Sequence, residues 1–248
     1  MEYVHFGKKV KEHPGNNLNK EFYLSAQPEG LPLWEQRHYV KQKIYADYNY
    51  DLNMMFFDSL DKEKFNLYLE KQIKKYKFKE CKDLNEVNKV CGVYMIVLDK
   101  YKQVYIGQSN NIKRRIYRHW SDFKSLERLT FGPFLESIIS IDSFGPLDTT
   151  RIYYFETYNT HKIEEKIVSK FNRNYLINRT AGGIGSYHNF TADEEVAKMS
   201  VVANRKTRDY SKFVDIEKVK EITGDDFLYF CSKYPFLKDE RGKKYDKK

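Results

Sequence analysis

The chain has 248 residues, with 44 Lys and Arg against 35 Asp and Glu, a formal charge of +9 and 41% hydrophobic residues. That share of apolar residues, with both charge signs spread along the chain, builds a core and excludes a disordered protein. The longest apolar run, residues 93–98, is far short of a membrane span, residues 1–9 lack a signal-peptide core, and Cys81, Cys91 and Cys231 form neither a Cys-x-x-Cys nor a Cys/His pairing. The expectation is a cytoplasmic protein with no membrane partner, no disulfide framework and no zinc site; the positive charge invites a polyanion as partner, but composition by itself leaves function open.

Residues 1–87 mix Pro/Gly loops (His13-Pro14-Gly15 and the stretch 28–32) with helical patterns. The clearer pattern runs over 61–77, where Phe65, Tyr68, Leu69 and Ile73 recur at helical spacing. This stretch reads as a partly helical accessory region. From residue 88 the pattern changes: residues 92–98 are β-branched and apolar, 99–103 polar, and Val104-Tyr105-Ile106-Gly107 strand-like again, which predicts a β-hairpin. Gln108-Ser109-Asn110-Asn111 offers capping residues for a helix over 111–124 with Ile112, Ile116, Trp120 and Phe123 on one stripe. A third strand over 151–157 and a helix over 161–171 follow, then a Gly-rich loop over 178–185. Beyond it the patterns predict a short helix over 192–204, a helical patch over 225–236 and a frayed tail over 238–248.

Gly92-Val93-Tyr94, then Tyr105-Ile106-Gly107, then a helix bearing Arg and His, a later helix bearing Glu, and Asn178 together resemble the GIY-YIG nuclease family over residues 92–183. Val93 stands where the family has its first isoleucine. Either tripeptide alone would read as ordinary strand residues; the joint order carries the resemblance. It implies an α/β (α+β) fold with a small, mainly antiparallel three-stranded sheet flanked by helices. A catalytic domain at 88–186 would then lie between the accessory region 1–87 and a helical region 187–248.

The resemblance also implies a metal-dependent DNA endonuclease using Mg²⁺ or Mn²⁺, site- or structure-directed, of a restriction/defence or mobile-element type. It leaves open a homo-oligomer on DNA. The alternative is a DNA-binding protein that keeps the fold without cleavage. Phosphodiester hydrolysis needs an activated water, a cation at the non-bridging oxygens and stabilisation of the leaving alkoxide. The resemblance places Tyr94 beside the water and Tyr105 nearby as a phosphate or water ligand.

Among the arginines, the helical rule with Ile112 at zero puts Arg115 at about 300° and His119 at about 340°, bordering the apolar stripe, and Arg114 at about 200°. Arg115 is the expected phosphate clamp, and His119 the proton relay or the tyrosine's partner. With Ile163 at zero, Glu164 falls at about 100°, inside the apolar arc, and Glu165 at about 200°, outside it. Glu164 is therefore the expected metal ligand. Asn178 would brace the tyrosine side of the site or contact phosphate, and reads equally as a turn asparagine, with Asn172 and Asn174 as weaker candidates. Lys113, Arg114, Arg118, Lys198, Arg205 and Lys206 are the expected nucleic-acid contacts, with Arg208 a further phosphate neutraliser. Residues 188–206 resemble the small helical DNA-binding modules attached to homing nucleases of this family.

Overall fold

The computed structural model describes residues 2–25, 33–121, 135, 137–178, 208 and 210–238, with side chains in 33–39 left aside. The expected helix over 192–204 and the Gly-rich loop beyond 178 lie outside the described residues, as do Lys198, Arg205, Lys206 and the tail from 239 onward. Two units separate, residues 1–208 and residues 209–248.

The chain begins with a hairpin, β1 (Glu2–His5) and β2 (Lys8–Lys11), turned through Phe6 and Gly7 at positive φ. Helix α1 (Lys20–Ser25) precedes the 26-residue α2 (Leu33–Asp58), and α3 (Lys62–Tyr76) follows. Helix α3 matches the apolar period of the sequence. It is capped by Asp61, whose carboxylate accepts from Lys64 N, and it ends where Lys77 turns left-handed.

Strand β3 (Lys79–Cys81) leads to β4 (Gly92–Leu98) and β5 (Gln103–Ser109). Helix α4 (Ile112–Ser121), β6 (Arg151–Glu156) and α5 (Thr160–Lys170) complete the α+β layer. The sheet runs β3-β6-β4-β5, every pair antiparallel. The expected three-stranded sheet is thus corrected to four strands plus the separate β1-β2 hairpin. Strand β3 escaped notice because three residues, Lys79-Glu80-Cys81, carry no readable alternation; their pairing with Ile152 to Tyr154 comes from far along the chain.

Strand β4 is buried along its whole length. Alternation sends Val93, Met95 and Val97 to one face, where they join Val104, Ile106, Phe65, Leu69, Ile167, Val168 and Phe171 in a single apolar cluster. The opposite face, with Tyr94, Ile96 and Leu98, receives α4. A strand covered on both sides reads as a continuous apolar run, which is what residues 93–98 show.

On the outer edge of β5, Leu176 makes a parallel bridge to Val104 and Ile177 N donates to Val104 O at 3.0 Å. In the second unit α6 (Ile216–Thr223), capped by Asp215, precedes α7 (Phe227–Lys233), where a patch was expected over 225–236. None of the described helices is long and apolar enough to cross a membrane.

Candidate active site

Tyr94 faces Gly107 across the β4-β5 ladder, and Tyr105 faces Ile96, so both tyrosines lie on the α4 side with ring centroids 6.2 Å apart. The glycine is a steric requirement. A Cβ at Gly107 would stand 2.5 Å from Tyr94 Oη and 2.8 Å from Tyr105 Cε1, so only hydrogen leaves room for the first ring to lie across the partner strand. Gly92 is equally constrained, since a Cβ there would meet Phe155 O at 2.3 Å.

Asn111 opens α4 by accepting from Arg114 N at 3.0 Å, and Ile112, Ile116, His119 and Trp120 form its buried stripe. This sets Arg115 and His119, one turn apart, against the tyrosines. His119 Nε2 is 2.7 Å from Tyr94 Oη, and the two rings of Tyr105 and His119 meet edge to face at 5.0 Å. The half-buried Arg115 guanidinium lies near enough to both phenols for its charge to favour their ionised forms.

Glu164 sits on α5 at 6% exposure and acts on both tyrosines through its charge, while Glu165 beside it is exposed. Complete burial pushes the Tyr94 phenol well above its ordinary value of 10.0, Tyr105 adds to this and Arg115 opposes it. Burial, with the Glu164 charge second, pushes Tyr105 up to about 12. Both phenols are therefore neutral in the resting protein.

Asn178 is buried, and its side chain is committed to one backbone residue: Oδ1 accepts from Ile106 N at 2.9 Å and Nδ2 donates to Ile106 O at 2.6 Å. It pins the strand between Tyr105 and Gly107 from the tyrosine side of the site. Asn172 caps the short turn at Arg173–Tyr175, and Asn174 donates its backbone N–H to the Asn172 side chain.

One residue of the constellation was absent from the sequence reading. Asp142 Oδ1 lies 2.6 Å from His119 Nδ1, on a short 3₁₀ turn, Ile141–Ser143, capped by Ser140. The cap-type serine was a local signal for a turn, but nothing local links Asp142 to a histidine 23 positions away. The N-terminal region holds this segment in place. Asn49 and Asn53 of α2 each donate to Ser137 O, Leu18 N donates to the Asp148 carboxylate, and Trp120 Nε1 donates to Thr149 Oγ1.

Of the expected nucleic-acid contacts, Arg114 and Arg118 are exposed on the outer ridge of α4. Lys113 is half-buried, its ammonium on Asn85 Oδ1 and over the Tyr117 ring. Arg208 is a correction. It is 4% exposed, stacked over Phe56 and Phe57 at 4.9 and 5.4 Å, and donates to Leu176 O and the Gln103 side chain. Its charge is spent inside the protein and cannot neutralise a phosphate.

Among the described residues no group of three or more His, Cys, Asp and Glu could hold a metal ion by itself. A buried carboxylate such as that of Glu164 fits a hard cation that fills the rest of its shell with waters and substrate oxygens. No curated protein and no solved structure matches the chain. The hairpin with its two tyrosines and facing glycine, the Arg/His helix and the buried glutamate all fall within or beside one stretch, and residues 90–176 match the GIY-YIG catalytic domain family.

Proposed function

We propose that this protein is a metal-dependent DNA endonuclease that hydrolyses phosphodiester bonds. The observation that carries the reading is the convergence of Tyr94, Tyr105, Arg115 and His119 beside the β4-β5 hairpin, with the Tyr94 hydroxyl bonded to His119 at 2.7 Å and the buried Glu164 near enough to act on both phenols through its charge. These are the parts that hydrolysis of a phosphodiester needs.

The Tyr94 hydroxyl orients the attacking water and takes up its proton. Arg115, beside both phenols, presents planar paired donors to the non-bridging oxygens of the scissile phosphate. Tyr105, beside Tyr94 and His119, is a further ligand of the phosphate or the water. Glu164 holds the divalent cation, Mg²⁺ or Mn²⁺, which supplies charge neutralisation for the phosphate and the departing alkoxide.

Arg114 and Arg118 on the outer ridge of α4, with Lys9 and Lys11 exposed on the β1-β2 hairpin, are the described charges that hold the flanking duplex. Such contacts position the DNA without reading its sequence, so site or structure preference, and with it a restriction or mobile-element role, comes from elsewhere in the chain.

The test is incubation of the purified protein with supercoiled plasmid and Mg²⁺, with and without a chelator. Nicking or linearisation that the chelator abolishes supports the endonuclease. Retardation of DNA with no cleavage under any divalent cation establishes the binding protein that keeps the fold and lacks chemistry.

A further inference from the structure

We propose that Asp142, His119 and Tyr94 form a proton relay, in which Asp142 is the positioning residue that holds His119 in the tautomer able to take the Tyr94 proton. The proposal rests on the endonuclease reading and adds to it both the residue and the direction of proton flow.

An ionised carboxylate only accepts, so the 2.6 Å contact with Asp142 Oδ1 places the hydrogen of the neutral His119 ring on Nδ1. Nε2 is then a bare acceptor, and at 2.7 Å it takes the Tyr94 O–H. A phenol oxygen has one hydrogen and two lone pairs. The hydrogen goes to His119, and the lone pairs face the Arg115 guanidinium charge and remain for an O–H of the attacking water.

In the opposite tautomer Nε2–H would donate to Tyr94. His119 could then not take up the phenol hydrogen, which would be left to turn toward the water. A hydroxyl that donates to the water cannot deprotonate it. The orientation of a single imidazole hydrogen thus decides whether Tyr94 can act.

The step balances as follows. The water oxygen bonds to phosphorus as one water proton passes to Tyr94 Oη and the Tyr94 proton passes to His119 Nε2. The bond from phosphorus to the leaving ester oxygen breaks with its electron pair, and the alkoxide takes a proton from solvent. The imidazolium left behind lies against the Asp142 carboxylate and returns its extra proton to solvent through Tyr94. Tyr94 stays a neutral phenol before and after, in keeping with a buried ring that resists ionisation.

The rest of the fold supports this placement of Asp142. Ser140 caps its turn, and two asparagines of α2, Asn49 and Asn53, converge on Ser137 O at 2.8 and 2.9 Å. The accessory region therefore contributes to the site by delivering this carboxylate to the catalytic helix.

The experiment uses the full chain with ¹⁵N-labelled histidine and long-range proton–nitrogen correlation, the His119 signal being identified by its loss in His119→Gln. The expected result is a neutral ring protonated at Nδ1 in the wild-type protein. In Asp142→Asn, whose amide can turn an N–H toward Nδ1, the expected result is a shift to the Nε2–H form. Single-turnover cleavage at saturating DNA should fall by about tenfold or more in that variant, with the Kd for DNA unchanged, because part of the usual acid–base contribution is forfeited. A wild-type ring protonated at Nε2, alone or together with Nδ1, overturns the proposal, as does an Asp142→Asn variant cleaving at the wild-type rate. Failure of the wild-type protein to cleave any DNA would refute the endonuclease reading instead, and the nitrogen spectrum still decides what Asp142 holds.

Discussion

Glu164 and Glu165 are neighbours with the same chemistry, and one peptide unit of helix separates a buried carboxylate from a solvated one. Glu164→Gln preserves volume and removes the charge that anchors the cation, so cleavage is expected to disappear while the Kd for DNA changes less than about threefold. Glu165→Gln should leave both unchanged. A reversed pattern in the cleavage assay would place the ligand on the wrong side of α5. The arginines divide in the same way. Arg115 is half-buried against two phenols, whereas Arg114 and Arg118 are exposed. Arg115→Ala is expected to lower the single-turnover rate at saturating DNA by about a hundredfold or more. Arg114→Ala should weaken binding at low salt and leave that saturated rate intact. Equal losses at saturation would mean that none of them touches the reacting phosphate.

The β4-β5 hairpin depends on what holds its free side. Strand β5 is an edge strand of the sheet, and it is closed by residues 176–178 through the Val104 bridge and the two Asn178 hydrogen bonds to Ile106. Asn178→Ala leaves a buried N–H and a buried C=O of Ile106 without that partner, at a cost of roughly 2–4 kcal/mol. A clear fall in the urea midpoint should accompany the loss of activity. If activity falls with no change in midpoint, Asn178 acts on substrate and not on the strand.

Taken as a whole, unit 1 extends to Arg208, and its last residue is fastened to β5 and α2. A fragment ending at residue 186 would lose that buried cation with its bonds to Leu176 O and Gln103. A fragment ending at residue 208 would keep them. The shorter fragment is expected to be less stable by roughly 2–4 kcal/mol, and Arg208→Met in the full chain should reproduce much of the loss. Equal urea midpoints for the two fragments would show that the arginine contributes nothing.

The buried phenols impose a second property on the whole unit. Tyr105 has its value raised from 10.0 to about 12, so the folded protein holds this proton more tightly than the unfolded chain. That stabilisation is complete below pH 10 and is lost as the pH rises toward 12. Unfolding midpoints should therefore be flat up to about pH 10 and fall beyond it, with tyrosinate absorbance of the buried pair appearing only on unfolding. A hyperbolic titration of every tyrosine near 10 in folded protein would refute this.

Elements and residues whose partners lie within one turn or one hairpin were legible in the sequence. Periodicities of 3.6 and 2 sort neighbouring side chains onto opposite faces, so α3, α4, α5, β4 and β5, the burial of Glu164 and the borderline position of Arg115 and His119 all follow from order along the chain. The β1-β2 hairpin was signalled too, by Val4 and Val10 on either side of Gly7, and went unread. Tertiary structure alone decided the rest. Strand β3 exists through pairing with residues more than seventy positions away, Arg208 is buried because Gln103 and two phenylalanines of α2 reach it, and Asp142 meets His119 only because the chain folds its turn back onto α4. Each of these depends on a partner that chain order does not bring near. A charged side chain in such a place looks in the sequence like any solvated one, and only folding reveals what it pairs with.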